Sequence, residues 1–217
     1  MAYIESTRKY DKQSEEAINA FLARFFYPKL FKKFRFETNE IRQKAGVDFE
    51  ADGLLIDNKA MSSPRFVNNP AKTFILELLV HSDKYGEYLG WFVNPNIITT
   101  HYLFIWIPEA KVGPSGYILD SREIQKIEVM LVDRTKLHQE INAVCSDERL
   151  LQVAHDMVAK NSLDREIPEF GYYKCPHFVY STQLNEKPVN LVTPKDWLKR
   201  AAIKHCFVTA KEIIDIP

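Results

Sequence analysis

The chain has 217 residues, 46% of them hydrophobic and 27% charged, and its 29 basic and 29 acidic side chains give a net charge of zero. This composition is typical of a soluble globular protein that can bury a sizeable core, and the missing basic excess argues against a stable, stand-alone DNA-binding protein. The sequence contains no apolar run of membrane-spanning length and no Gly-rich phosphate loop, and its three cysteines are widely spaced, so we expect a cytoplasmic protein with free thiols and no membrane partner.

The N-terminal segment is predicted to be helical. Residues 12 to 27 place Ile18, Phe21, Leu22 and Phe25 at helical spacing, with charged residues mostly at other positions. A second short helix is predicted to end near Gly46 and to carry Glu40.

A basic segment lies between these two helices. Its cations alternate with aromatic residues in the stretch 27 to 36 and are Lys29, Lys32, Lys33 and Arg35. Such a segment can follow a phosphate backbone while its aromatic rings stack on bases. The alternative, which the sequence favours, is an amphipathic segment with its aromatic rings in the core and its lysines in water.

The stretch 46 to 60 predicts a β-hairpin. Asp52-Gly53 is a strong signal for a tight two-residue turn, in which both central residues have positive φ. The alternation of apolar and polar residues sets the register: Phe49 faces Ile56, and Asp48 faces Asp57. One face of the hairpin is then apolar and the other carries the charges.

The charged face of this hairpin is unusual because two carboxylates lie directly opposite each other. Asp48 and Asp57 are expected to have Cβ atoms about 5 Å apart, with Lys59 on the same face. Like charges in this position destabilise a hairpin. A divalent cation would offset the repulsion; the alternative is a solvated hairpin whose outer face happens to be charged.

Residues 73 to 80 are predicted to form a buried strand that contributes a further acid. The run is apolar and of strand length, and Glu77 is its only ionisable residue. Burying a carboxylate there is costly unless it is paired or binds metal. A short helix with Glu77 facing water is the competing assignment.

The remaining elements follow from periodicity and from start and stop signals. The predicted strands are 99 to 107, ended by Pro108, then 124 to 133 and 176 to 182. The predicted helices are 134 to 144, 147 to 160, and one that starts with Thr193 as N-cap and Pro194 at its first position.

The order Gly-Val-Asp, short hairpin, Ile-Asp-x-Lys-Ala resembles the active-site signature of the PD-(D/E)xK nuclease superfamily, whose fold is called restriction-endonuclease-like. The resemblance covers roughly residues 36 to 107 and matches Asp48 to the first acid, Asp57 to the second and Lys59 to the lysine. Val47 departs from the family's proline. An acid from the preceding helix often completes the family's site, and Glu40 is its expected equivalent, with Glu37 as a substitute.

The resemblance implies Mg²⁺-dependent (or Mn²⁺-dependent) hydrolysis of DNA phosphodiesters. Asp48, Asp57 and the main-chain carbonyl of Asn58 would hold the metal, since hard cations prefer oxygen ligands. Lys59 would polarise the attacking water. Glu40 or Glu77 could bind a second ion, and a homodimer is plausible because a DNA duplex has two strands.

We therefore expect an α/β fold with a mixed central β-sheet flanked by helices and a restriction-endonuclease-like core. The chain is predicted to be a single domain, residues 1 to 217, with a core of about 36 to 145 and a C-terminal extension of about 146 to 217. The alternative function is a catalytically silent protein of a phage or mobile element that binds a protein or nucleic-acid partner. Neutral charge and a set of presumed surface aromatic residues favour it: Tyr172, Tyr173, Phe178 and Tyr180.

Overall fold

The computed structural model describes residues 2–171 and 175–217. Its helices are α1 (Ala2–Phe25), α2 (Tyr27–Leu30), α3 (Glu40–Lys44), α4 (Arg134–Asn142), α5 (Asp147–Lys160) and α6 (Lys195–Lys199). Its strands are β1 (Phe34–Phe36), β2 (Phe49–Ala51), β3 (Leu54–Ala60), β4 (Thr73–Ser82), β5 (Gly86–Leu89), β6 (His101–Ala110), β7 (Ile124–Asp133), β8 (Asp164–Arg165), β9 (His177–Tyr180), β10 (Pro188–Pro194), β11 (Ala202–Thr209) and β12 (Ile213–Asp215).

The strands form two sheets. Sheet A has seven strands in the order β1-β2-β3-β6-β7-β11-β12, and sheet B has five in the order β5-β4-β10-β9-β8. Sheet A is mixed because β3 and β6 run parallel, whereas the other neighbouring strands of both sheets run antiparallel. The expected class, a mixed α/β fold with helices flanking a mixed sheet, is confirmed at this level.

Two hydrophobic clusters occupy the opposite faces of sheet A, as period-2 alternation along its strands requires. On one face α1 and α2 pack against the hairpin and the central strands, through residues such as Phe21, Phe49 and Leu103. On the other face Tyr102 and Met130 belong to a cluster that also takes in sheet B, α4 and α5. Sheet A is therefore the central layer, and β4 and β10 lie on the side away from α1.

Several predicted elements are confirmed. β7 and α5 have the expected bounds, and α1 contains most of the helix predicted from residue 12 but begins nearer the N-terminus. α5 is capped by Ser146, whose side chain accepts a hydrogen bond from the Arg149 amide, and it ends at Asn161 in the left-handed conformation. β4 is a strand, as expected, although Ile75 is 39% exposed, so one of its faces is partly open.

Two predicted boundaries are wrong. β6 does not stop at Pro108 but continues to Ala110, with an irregular register between Trp106 and Glu109. A bulge accommodates proline, because no ladder hydrogen bond then needs its missing N–H.

Thr193 is not a helix cap. It is paired with Phe74 at the end of β10, and its hydroxyl donates to the Leu191 carbonyl at 3.3 Å. α6 begins two residues later, because pairing of this segment with β4 prevails over the local capping signal.

Within the described part of the chain, none of the helices has the length and apolar character needed to cross a lipid bilayer.

Candidate functional site

The β2–β3 hairpin has the predicted turn and register. Asp52 and Gly53 have φ of 48° and 86°, and Phe49 pairs with Ile56 across the two strands. The Asp52 carboxylate accepts hydrogen bonds from the amides of Lys32 and Lys33 at 3.0 and 2.9 Å, which ties the turn to the preceding segment. The geometry therefore fixes where the charged residues of both strands lie.

Asp48 and Asp57 meet at the open end of this hairpin. The Asp48 amide donates to the Ile56 carbonyl at 2.9 Å, and its Oδ2 accepts from the Asn58 amide at 2.7 Å. Asp57 is next to Asn58 and has a side chain only 5% exposed, with Lys59 Nζ 2.8 Å from its Oδ2. The structure thus brings together the acid, acid and lysine that the sequence singled out.

The Asp57 carboxyl is electrostatically strained by its surroundings. Burial raises its pKa to about 7; Lys59 opposes the rise, and Asp48 adds to it. Oδ2 has no hydrogen-bond partner of acceptable geometry among the described residues, so Lys59 meets it as an ion pair only. One ammonium therefore leaves the two carboxylates incompletely neutralised.

Glu15 of α1 is the acid that the sequence analysis missed. Burial raises its pKa, as do the nearby charges of Asp48 and Asp11, whereas Lys59 lowers it. Glu15 therefore shares the electrostatic field of the hairpin site. The available signal was the polar series Asp11, Glu15 and Asn19 at four-residue spacing, but only the folded chain shows that this stripe faces β3.

Asn58 joins the hairpin to the N-terminal helices. Its side chain alternates with those of Asp57 and Lys59, and its Nδ2 donates to Asn19 Oδ1 at 2.8 Å and to the Tyr27 hydroxyl at 3.1 Å. These bonds hold α1, and hence Glu15, in register with β3. Metal binding by the Asn58 main-chain carbonyl stays a prediction.

Glu77 faces the site from sheet B. Burial raises its pKa, and a hydrogen bond from the Trp91 amide lowers it. The chain at Gly90 lies so close to β4 that an added Cβ would be 2.4 Å from the Glu77 main chain. Glu77 thus anchors Trp91, whose ring centroid is 4.9 Å from Lys59 Nζ.

These elements enclose a cleft of about 470 Å³ between β3 and α1 on one side and β4 and β10 on the other. Its lining includes Asp11, Glu15, Lys59, Glu77, Trp91 and Leu184. Among the described residues that line it, Lys59 is the only cation, against three carboxylates. The cleft is therefore acidic rather than rimmed with lysine and arginine.

Other predicted site residues lie elsewhere. Glu40 is exposed in the first turn of α3 and is not among the described residues that line the cleft. The cations of the basic segment are also exposed and outside that lining, and they are Lys29, Lys32, Lys33 and Arg35. Phe31 of this segment is buried and Phe36 is 42% exposed, so the segment is only partly the amphipathic arrangement favoured from sequence.

The set of aromatic residues expected at the surface needs correction. Phe178 is fully buried and Tyr180 is 5% exposed, because β9 contributes both to the cluster shared by the two sheets. Tyr172 and Tyr173 lie outside the described residues.

A hard cation at this site would require oxygen ligands in a suitable number and arrangement. Within residues 2–171 and 175–217, no group of three or more His, Cys, Asp or Glu side chains is arranged to hold a metal ion. Mg²⁺ needs less than this, since it is commonly held by one or two carboxylates and keeps several waters. Asp48 and Asp57 supply the carboxylate oxygens that such a sparse site needs, with Lys59 Nζ already 2.8 Å from Asp57 Oδ2, and metal binding there stays a prediction.

A second, larger cavity of about 580 Å³ is lined by strands of both sheets. Glu128 on β7 accepts from Lys195 Nζ at 2.6 Å and lies 2.9 Å from His205 Nε2, and Lys195 is 4.1 Å from the Trp106 ring centroid. Burial lowers the pKa of Lys195, and Glu128 opposes this. The charged groups at its base are thus paired with one another, which indicates a structural link between the sheets.

Comparison of the chain with family models, with curated proteins and with solved structures found no match.

Proposed function

We propose that this protein is a Mg²⁺-dependent (or Mn²⁺-dependent) hydrolase of DNA phosphodiesters, with a site of the PD-(D/E)xK type on a restriction-endonuclease-like core. The observation that carries the proposal is the buried Asp57, with a pKa raised to about 7, held between Asp48 and Lys59 at the mouth of a hairpin. Perturbed titratable groups near a cleft are typical of functional sites, and Asp57 contacts the cleft through Lys59, although Asp48 and Asp57 are not themselves among the described residues that line it. Sheet A supports the proposal, because the hairpin is followed by a parallel neighbour, β6.

The residues have distinct roles in this proposal. Asp48 and Asp57 hold the cation, and Glu15 has the supporting role that was predicted from the sequence for Glu40. When bound, the cation supplies an acidified water and neutralises charge on the phosphate oxygens. The Lys59 ammonium orients the attacking water and stabilises the negative charge on the non-bridging oxygens of the phosphate.

A second candidate function is the catalytically silent, partner-binding protein. Its supporting observation is the enclosure of Asp57, whose side chain is 5% exposed beneath Lys59, which itself contacts Trp91. An acidic cleft with few cations also gives a nucleic acid little to hold without metal. The two functions differ in whether the site binds a divalent cation.

The test is nicking of supercoiled and single-stranded DNA with Mg²⁺ or Mn²⁺ by wild type, Asp57→Asn and Lys59→Met. Glu40→Gln and Lys29→Met are the matched controls, because these exposed residues carry the same charges outside the cleft. We expect metal-dependent cleavage by wild type and both controls, and none by the two site variants.

Thermal unfolding with and without Mg²⁺ separates binding from chemistry. Stabilisation of the wild type but not of Asp57→Asn indicates that the cation binds at this site. If neither stabilisation nor cleavage occurs, the nuclease proposal is rejected in favour of the silent protein.

A further inference from the structure

The dimensions of the acidic cleft limit what can enter it. Its volume of about 470 Å³ is bounded by α1 and β3 on one side and by β4 and β10 on the other. Pockets of this size suit a single small-molecule-sized group. One nucleotide is of that size, whereas a base-paired duplex is far wider.

The charges of the cleft offer a cationic contact to one phosphate at most. A duplex is held by several lysines and arginines that neutralise successive phosphates. Here the described lining offers Lys59 alone, facing Asp11, Glu15 and Glu77. The exposed basic segment containing Lys32 and Lys33 is not part of that lining.

The cleft has a preorganised aromatic wall. Trp91 is partly exposed, and its position is fixed by Lys59 at 4.9 Å, by the Tyr102 ring at 5.0 Å between centroids, and by the bond from its amide to Glu77. Phe66, also partly exposed, lines the same space. Rigid aromatic surfaces beside a cation suit an unpaired base and its phosphate.

We propose that the substrate of this site is single-stranded nucleic acid, one nucleotide of which enters the cleft with its base against Trp91 and its phosphate at Lys59. This inference rests on the proposed nuclease function and narrows its substrate class. The base should be unpaired, since a volume of about 470 Å³ corresponds to one nucleotide rather than to a base pair.

The test is fluorescence anisotropy with a labelled oligonucleotide of about 12 nucleotides, single-stranded or annealed to its complement. Ca²⁺ replaces Mg²⁺ so that an oxygen-ligated cation is present, and gels verify that the strands stay intact. We expect the single strand to bind at least about tenfold more tightly than the duplex, which corresponds to one stacked base.

Variants locate the binding to the cleft. Trp91→Leu should weaken single-strand binding about tenfold, whereas Tyr85→Leu, at an aromatic residue 70% exposed outside the cleft lining, should not. Leu184 is 52% exposed and lines the cleft, so its replacement should leave the fold intact. Leu184→Glu should weaken binding and Leu184→Arg should strengthen it, which gives a result even if Trp91→Leu does not fold.

The possible results distinguish the single-strand inference from the proposed nuclease function on which it rests. The single-strand assignment is overturned if the duplex binds as tightly as the single strand or more tightly. It is also overturned if both Leu184 variants bind the single strand with the affinity of the wild type. If the duplex is nevertheless cleaved in a manner that needs Asp57, the nuclease proposal survives alone. If neither form is bound or cleaved, both proposals are overturned.

Discussion

At the scale of single residues, Asp57 shows how far sequence can define a site. The Asp-Gly turn fixes the register, and the register places Asp57 opposite Asp48 and beside Lys59; all of this is local and could be predicted. The burial of Asp57 could not, because it depends on packing with elements far along the chain, such as β6, whose Tyr102 is the neighbour of Asp57 across the parallel strands. The raised pKa is therefore a tertiary property.

Asp57 should cost the folded protein stability at neutral and alkaline pH. Its pKa rises from 3.8 to about 7 on folding, so the folded state holds the proton more tightly and loses stability as pH increases through that interval. Asp57→Asn should therefore be more stable than wild type at pH 8, by about 1–2 kcal/mol, and the gain should shrink toward pH 5. Urea unfolding without divalent ions at both pH values measures this, and a gain larger at pH 5 contradicts it.

Glu15 and Glu40 offer a direct comparison between structure and sequence. Glu15 lines the cleft and is close enough to Asp48 for that charge to raise its pKa, whereas Glu40 is exposed on α3. Glu15→Gln should reduce metal-dependent cleavage at least about tenfold, as expected when a group that supports a metal site is lost. Glu40→Gln should cleave like wild type. Titration of cleavage rate against Mg²⁺ checks both, and the opposite ranking would restore the sequence prediction.

At the scale of elements, local signals succeeded where tertiary contacts agreed with them. The hairpin, β7 and α5 have strong periodicity and proper turns or caps, and the structure has all three. The helix start predicted at Thr193 and Pro194 is wrong, because these residues extend β10 and pair with β4. β4 follows directly after β3 in the chain but belongs to sheet B rather than sheet A, and its sequence does not indicate this.

The segment after β5 depends on close packing at Gly90. An added Cβ would meet the Glu77 main chain at 2.4 Å, whereas at Gly113 it would meet nothing within 4 Å. Gly90→Ala should therefore destabilise the protein by about 2–3 kcal/mol through overpacking and displace Trp91. Gly113→Ala should change stability by no more than about 0.5 kcal/mol. Thermal unfolding compares the two variants, and equal melting temperatures would contradict the expected packing.

At the scale of the whole molecule, charged groups help to join the two sheets. Glu128 on sheet A pairs with Lys195, at the start of α6 directly after β10 of sheet B, and both side chains are largely buried. Both sheets also take strands from before and after residue 145. The molecule is thus tied together by segments distant in sequence, and the sequence alone gave no sign of this pairing.

Removing both partners of this ion pair should cost less stability than the two single removals added together. Glu128→Gln or Lys195→Met alone should cost about 3 kcal/mol, because the first leaves the Lys195 ammonium without its counter-charge and the second leaves Glu128 only its contact with His205. The double variant should lose less than the sum of the single losses. Urea unfolding of all four proteins completes the cycle, and additive losses would mean that the pair contributes no coupling.

The separation of β4 from β10 along the chain has a consequence for biosynthesis. Sheet B cannot close until residues 188–194 have been made, since Val80 pairs with Pro188 and Thr73 with Pro194. During synthesis the hairpin can form early, but the wall of the cleft formed by β4 and β10 must wait for the last part of the chain. The hairpin would then lie beside an incomplete cleft on the ribosome, and the cleft would be completed only when translation nears its end. The synthesis of β10, rather than the formation of the hairpin, would then determine when the site is complete.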